Sequence, residues 1–213
     1  MAKFQYPKYA TELAVQAACA AQRINCGYIS VGFSFGPENR GSNKSLVIDL
    51  LKTPDVITDA DREQAELVMT HFQSLLWKNT LSDRLMSDFD TTCMNIANSE
   101  EVAQNYLGQV AYMPSAYLRE TEKRKIKDRL YECQQQYLDS VGKKVTTTIE
   151  IMTSVYSQKW GCYYYSAITK DNFNVRFSSG KSDFEPGQTY TVTAKVKEHC
   201  ENHQTKLNYV KII

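Results

Sequence analysis

Apolar positions recur at helical spacing through the first two thirds of the chain and switch to alternation in the last third. Over residues 7–25, Leu13, Ala17, Ala20 and Ile24 share a face and Asn25 and Gly27 supply stop signals, which predicts a helix. "YISVGFSF" (28–35) reads as a short strand and "GPENRGSNKS" (36–45) as a loop of turn formers. Thr58 and Asp61 then form a capping-box pattern ahead of the stripe Ala65, Val68, Met69, Phe72, Leu75 and Leu76, which runs out near Asn79. A second helix is expected over 81–97 on Leu81, Leu85, Phe89 and Ile96, and a short third one from Ser99. After Pro114, Ser115 is placed to cap a long helix with Tyr117, Leu118, Leu130 and Tyr137 on its apolar side.

At "VGKK" (141–144) the period changes. "VTTTIEIMTSVYS", "CYYYSAIT", "FNVRFSS", "QTYTVTAKVKEH" and "TKLNYVKII" are β-branched, aromatic and alternating, and "KDN" and "PG" mark turns between them. Five strands in residues 141–213, the first one long, match the antiparallel oligonucleotide/oligosaccharide-binding (OB-fold) barrel. The expected fold is therefore α+β: a mainly helical region over 1–140 with a short strand near 28–35, and a five-stranded antiparallel OB-fold barrel over 141–213.

Net charge over the 213 residues is +1, but its distribution is uneven. Residues 1–140 carry 15 basic against 18 acidic side chains, and residues 141–213 carry 10 against 6, so the basic excess sits on the barrel. The run Lys123, Arg124, Lys125, Lys127 and Arg129 is interleaved with acids and reads as a solvated helix face, with a phosphate-contacting helix as the alternative. Six cysteines without a CxxC pair argue for reduced thiols in a cytosolic setting. No apolar run approaches the ~20 residues a membrane span needs, and "MAKFQYPKYATELA" has no secretory pattern.

Catalytic and metal readings find little footing. Gly36, Gly41, Lys44 and Ser45 suggest a phosphate-binding loop, but Ser42 and Asn43 separate the second glycine from the lysine. His199, Cys200 and His203 offer at most three metal ligands. Among the three histidines there is no nucleophile and base arrangement, and Asp88/Asp90 and Asp59/Asp61 are spaced by two on helices, so they do not share a face. No enzyme activity, metal or cofactor is expected.

The chemistry suggested is recognition. An OB barrel binds on its second and third strands, where "WGCYYYSAITKDNFNVRFSSG" (160–180) falls. With Ile168 taken as inward, Ser166, Tyr164 and Cys162 share its face, and Tyr163, Tyr165 and Ala167 point out. On the next strand Phe173, Val175 and Phe177 take the inner face, leaving Asn174 and Arg176 outside. Two tyrosines, Asn174 and Arg176, with Lys159 and Trp160 at the lip, suit the stacking of unpaired bases, while Lys143, Lys144, Lys195 and Lys197 supply further phosphate contacts. A bulge at Gly161 would exchange the roles of Tyr163 and Tyr165 with that of Tyr164. The bland alternative has the tyrosines packing across strands as good β-formers.

Gly142, Trp160-Gly161, Asp171-Asn172, Phe177-Ser178, Gly187, Val196-Lys197-Glu198-His199 and Gln204-Thr205-Lys206-Leu207 together resemble a barrel module of bacteriophage single-stranded DNA-binding proteins. The resemblance covers about a third of the chain; residues 71–98 are loosely similar to what precedes such modules. It implies non-sequence-specific binding of single-stranded DNA in phage replication or recombination, in a host cytoplasm. Arg176 stands where an aromatic residue is expected, and the chain ends "NYVKII" rather than in an acidic tail. The alternative is a replication adaptor that docks a helicase or polymerase through the helical region. Barrel strand edges and the helix at 115–139 are the two alternative surfaces for a homo-oligomer.

Overall fold

The computed structural model describes residues 6–33, 41–81 and 86–213. The chain divides into two compact units, Met1–Thr121 and Glu122–Ile213.

The first unit is helical. β1 (Lys8–Ala10) pairs antiparallel with β2 (Glu101–Ala103), and α1 (Thr11–Ile24) packs against α2 (Asn43–Leu50) and α3 (Asp59–Leu81). α4 (Asp88–Ala97) lies against α3. Ala14, Val15, Ala17, Ala18, Ala20 and Ala21 of α1 are all fully buried. An apolar helix of small side chains accepts neighbours on several sides, so the one-sided stripe expected from Leu13, Ala17, Ala20 and Ile24 understates its burial; Ile24 itself is exposed.

Four expectations in this unit need correcting. Residues 28–30 form no strand, and Val31–Phe33 is a single 3₁₀ turn. The Ile29 N–H that a ladder would use is taken instead by the side chain of the buried Asn43, at 2.8 Å. The expected loop over 36–45 gives way to a helix before its end: Ser42 accepts from the Ser45 N–H at 3.2 Å and starts α2, whose Val47 and Leu50 are buried. Helix α5 (Leu107–Tyr131) begins well before Pro114 and carries it inside. A proline there removes one intrahelical bond; it is tolerated among the buried Leu107, Val110, Ala111 and Met113. From Ser99 the chain forms β2 and a 3₁₀ turn at Gln104–Tyr106 rather than a third short helix. The expected helix over 81–97 is seen as α4; residues 82–85, with Leu85, lie outside the described residues. The expected loop residues 36–40 do so as well.

The capping box is present. Asp61 accepts the Thr58 N–H at 2.9 Å and the Thr58 hydroxyl at 2.7 Å, and the Asp61 N–H reaches the Thr58 oxygen at 3.3 Å. Asp61 also takes a two-pronged contact from Arg23, Nε to Oδ1 at 2.9 Å and Nη2 to Oδ2 at 2.8 Å, which ties α1 to the start of α3.

The second unit is a closed barrel of β3 (Lys144–Ser157), β4 (Cys162–Thr169), β5 (Asn174–Ser179), β6 (Thr189–His199) and β7 (Thr205–Ile212), in ring order β3-β4-β5-β7-β6. All five strands lie close to where alternation placed them. The sheet is mixed, however, not wholly antiparallel: β5 and β7 run parallel, with Val175 opposite Thr205 and Arg176 opposite Lys206. A closed ring of five strands cannot reverse direction at every step, so one pairing has to be parallel.

The interior is filled by Ile149, Ile151, Tyr165, Ala167, Val175, Phe177, Phe184, Val192, Ala194, Val196 and Leu207. A smaller cluster joins Met152, Ile168 and Cys133 to Ile126 and Leu130, so the C-terminal turns of α5 belong with the barrel unit. Two turns are set by residue type. Asn172 adopts φ 64° between β4 and β5, and Gly187 adopts φ 80° in the turn closed by Gln188 N–H to the Glu185 carbonyl. These are backbone conformations that Asn and Gly accept readily.

Candidate nucleic-acid interface

The register of β4 against β5 decides which side chains face solvent. Asn172 closes the turn through its N–H to the Thr169 carbonyl, and counting back gives Ile168 opposite Asn174, Ala167 opposite Val175, Ser166 opposite Arg176, Tyr165 opposite Phe177 and Tyr164 opposite Ser178. Directly opposed residues share a face. Val175 and Phe177 are in the core, so Ala167 and Tyr165 are too.

The expected parity of β4 is therefore reversed. Tyr165 is 1% exposed; its ring stacks on Phe177 with centroids 5.0 Å apart, and its hydroxyl donates to the Lys181 carbonyl at 3.1 Å. Tyr163 is half-buried at the barrel end, its ring 4.9 Å from that of Tyr156. Tyr164 is the tyrosine that faces out, at 46% exposure. Ile168, the inward anchor of the expected pattern, packs instead with Met152 and Cys133 in the cluster beneath α5. No bulge at Gly161 is involved; the shift in register lies in β3, between Ile151 and Thr153. Asn174 is also misplaced: it is buried, its Oδ1 accepts from Gln204 Nε2 at 2.9 Å, and its Nδ2 reaches the Leu130 carbonyl at 3.5 Å. That is a structural tether rather than a surface for a ligand.

Arg176 is exposed as expected. A row of polar side chains crosses the outer surface at its level: Ser166 on β4, Arg176 on β5, Lys206 on β7 and Glu198 on β6. Glu198 Oε1 accepts from Lys206 Nζ at 2.8 Å and lies 3.9 Å from Arg176 Nη2, and Arg176 Nη2 also contacts Cys200 Sγ at 3.0 Å. The hydrogen bond from Lys206 is the main cause that holds the Glu198 carboxyl below its ordinary value. Beside this row Tyr164, Ser166, Arg176, Ser178, Gln204 and Lys206 line an open groove of about 290 Å³. Val155, exposed on β3 opposite Tyr164, extends its apolar side.

The other expected contacts are dispersed. Trp160, 66% exposed, sits on the β3–β4 turn with Lys159 Nζ 5.2 Å from its ring centroid. Lys143 precedes β3 and pairs with Asp139 at 3.0 Å. Lys144 and Lys195 face each other on β3 and β6, in a different sector from Tyr164, and Lys197 is exposed on β6. Tyr164, expected outward only in the case of a bulge at Gly161, and Ser166, Ser178, Gln204 and Lys206, absent from the expected site, are the groove residues that the sequence did not place. The count of residues across the "KDN" turn was the signal that could have found the first three.

His199 is occupied structurally: its ring stacks on Tyr137 at 3.9 Å and 3°, and Nε2 lies 2.8 Å from the Asp139 carbonyl. Among the described residues no three His, Cys, Asp or Glu side chains come together as a metal site. All six cysteines are free. No described helix is long and apolar enough to cross a membrane.

Comparison with protein-family models, with curated proteins and with solved structures gives no match to this chain. The site therefore has to be read from its own chemistry: one aromatic ring face, two cations partly neutralised by one carboxylate, and hydroxyl and amide groups around an open groove.

Proposed function

We propose that the barrel is an OB fold and that the chain is a non-catalytic, non-sequence-specific binder of single-stranded DNA. The observation that carries this reading is the groove on β4, β5 and β7, where the exposed ring of Tyr164 lies beside Arg176 and Lys206. A ring face stacks an unpaired base of any sequence, and neighbouring cations take the phosphates. Ser166, Ser178 and Gln204 add the neutral hydrogen-bonding groups that commonly contact sugar and phosphate. The groove spans β4 and β5, the second and third barrel strands, together with the start of β7, and an OB fold binds on its second and third strands, which supports the reading. Trp160, on the β3–β4 turn that leads into the strand of Tyr164, is a second exposed ring. The resemblance to phage single-stranded DNA-binding modules supports a setting in replication or recombination.

Fluorescence anisotropy of a labelled oligo-dT, with duplex DNA and oligo-rU as comparisons, tests the proposal. Tight binding of oligo-dT, weakened by Tyr164→Ala and by Arg176→Gln, is the expected result. Preference for duplex, or unchanged affinity in both variants, would overturn it.

A further inference from the structure

A second groove, of about 600 Å³, lies on the sector formed by β3, β6 and β7. Its outward side chains are set by two rows of the ladder. Lys144 stands opposite Lys195, which stands opposite Asn208; one row along, Thr146 stands opposite Thr193, which stands opposite Lys211. Tyr209 falls at the irregularity between these rows on β7, has φ 53°, and is 76% exposed. Among the described residues, no ion pair involves Lys144, Lys195 or Lys211, in contrast to Arg176 and Lys206.

Two like charges directly opposite on adjacent strands repel in the free protein. A bound anion reverses that interaction. Thr146 and Thr193 line the groove in the row beside the Lys144–Lys195 pair, and Tyr209 offers a ring to whatever the cations hold, which is the composition of a backbone track rather than of a small-anion pocket. The two grooves are joined along one strand. Lys206 borders the first and Lys211 the second, five residues further on β7, about 17 Å at the usual rise of a strand.

We propose that the Lys144–Lys195–Lys211 groove is a second tract for a phosphodiester backbone, which takes the continuation of a single strand held at Tyr164. The inference rests on the single-strand reading of the first groove and adds the path and length of the ligand. Three cations that contact phosphates of a single strand contribute roughly two to the slope of log affinity against log salt.

The test is a salt titration of the full chain with a short and a long fluorescent oligo-dT, comparing wild type, K144Q/K195Q/K211Q and Y164A/R176Q. The three lysines are exposed, and a thermal melt of each variant checks folding. The expected result is that the triple variant binds the short oligonucleotide as wild type does. Its salt slope for the long one should fall by about two, making the loss of affinity between 50 and 200 mM salt roughly fifteen-fold smaller. An unchanged slope for the long oligonucleotide overturns this inference while leaving the first groove intact. Loss of all binding in the triple variant, with none in Y164A/R176Q, overturns the Tyr164 site and with it the continuation proposed for the lysine tract. No binding by wild type overturns both.

Discussion

Tyr165 and Phe177 face each other across the β4–β5 ladder with ring centroids 5.0 Å apart inside the barrel, while their immediate neighbours Tyr164 and Arg176 face solvent. Adjacent tyrosines thus have opposite duties, and substitution separates them. Tyr165→Ala removes a fully buried ring and its hydrogen bond to Lys181, and is expected to cost about 3–5 kcal/mol of stability. Tyr164→Ala should stay within about 0.5 kcal/mol of wild type. Denaturant unfolding of the two variants measures the contrast.

Binding should divide the other way. Tyr164→Ala is expected to weaken oligo-dT binding by about 1–3 kcal/mol, the usual worth of one stacked base. Isothermal titration at fixed salt reads this directly.

Glu198 restrains the cations of the Tyr164 groove. Glu198→Gln frees Arg176 and Lys206, so affinity for oligo-dT should rise and its salt dependence steepen. Because the carboxyl is held below its ordinary 4.5, it stays charged from pH 7 down to that value, and protonation mimics the substitution only in more acid solution. A titration of affinity between pH 7 and 5 should therefore show no step from Glu198.

The Arg23–Asp61 pair should govern the acid stability of the helical unit. Burial pushes the Asp61 carboxyl up, but the hydrogen bonds from Arg23 and Thr58 outweigh it, so its value lies below 3.8. A depressed carboxylate stabilises the fold above its unfolded-state pKa, and that contribution is lost as pH falls through the folded value. Stability should hold down to about pH 4 and decline below it. Arg23→Ala, which deletes the hydrogen bonds of Nε and Nη2 to the Asp61 carboxylate and that of Nη2 to the Val56 carbonyl, is expected to cost about 1.5–3 kcal/mol at neutral pH and to flatten the acid limb of the stability curve.

The cysteines should react in a fixed order. Burial pushes the thiols of Cys19 and Cys93 up to about 12, with Asp61 and Asp90 adding to the respective shifts. Cys26 is exposed. At pH 8 an alkylating reagent should modify Cys26 in the native protein and reach Cys19 and Cys93 only on unfolding, which mass mapping of the labelled peptides resolves.

The barrel was legible because its strands alternate and its turns carry residues that accept positive φ, Asn172 and Gly187. The face of β4 is not legible from hydrophobicity alone, because Ile168 has the character of a core anchor and yet lies on the outer face. An apolar residue on the outer face can be covered by something outside the sheet, here Ile126, Leu130 and Cys133. The turn fixed the answer independently, since Ile168 and Asn174 are opposed and cannot point to different sides. Asn174 and Asn43 escaped notice as interior residues because a polar side chain shows its burial only through its partners, Gln204 in one case and Asn25 with Ile29 in the other. Helix α2 was hidden by the turn formers that precede it, although Ser42 was a legible cap.

The parallel joint between β5 and β7 rests on two residue pairs, Val175 with Thr205 and Arg176 with Lys206. It is the least secured clasp of the hoop, and one of its two rungs carries the cations of the Tyr164 groove. A polyanion lying over Arg176 and Lys206 bridges that clasp from outside, so occupancy should stiffen the whole ring, and amide exchange along β5 and β7 should slow most when the groove is filled.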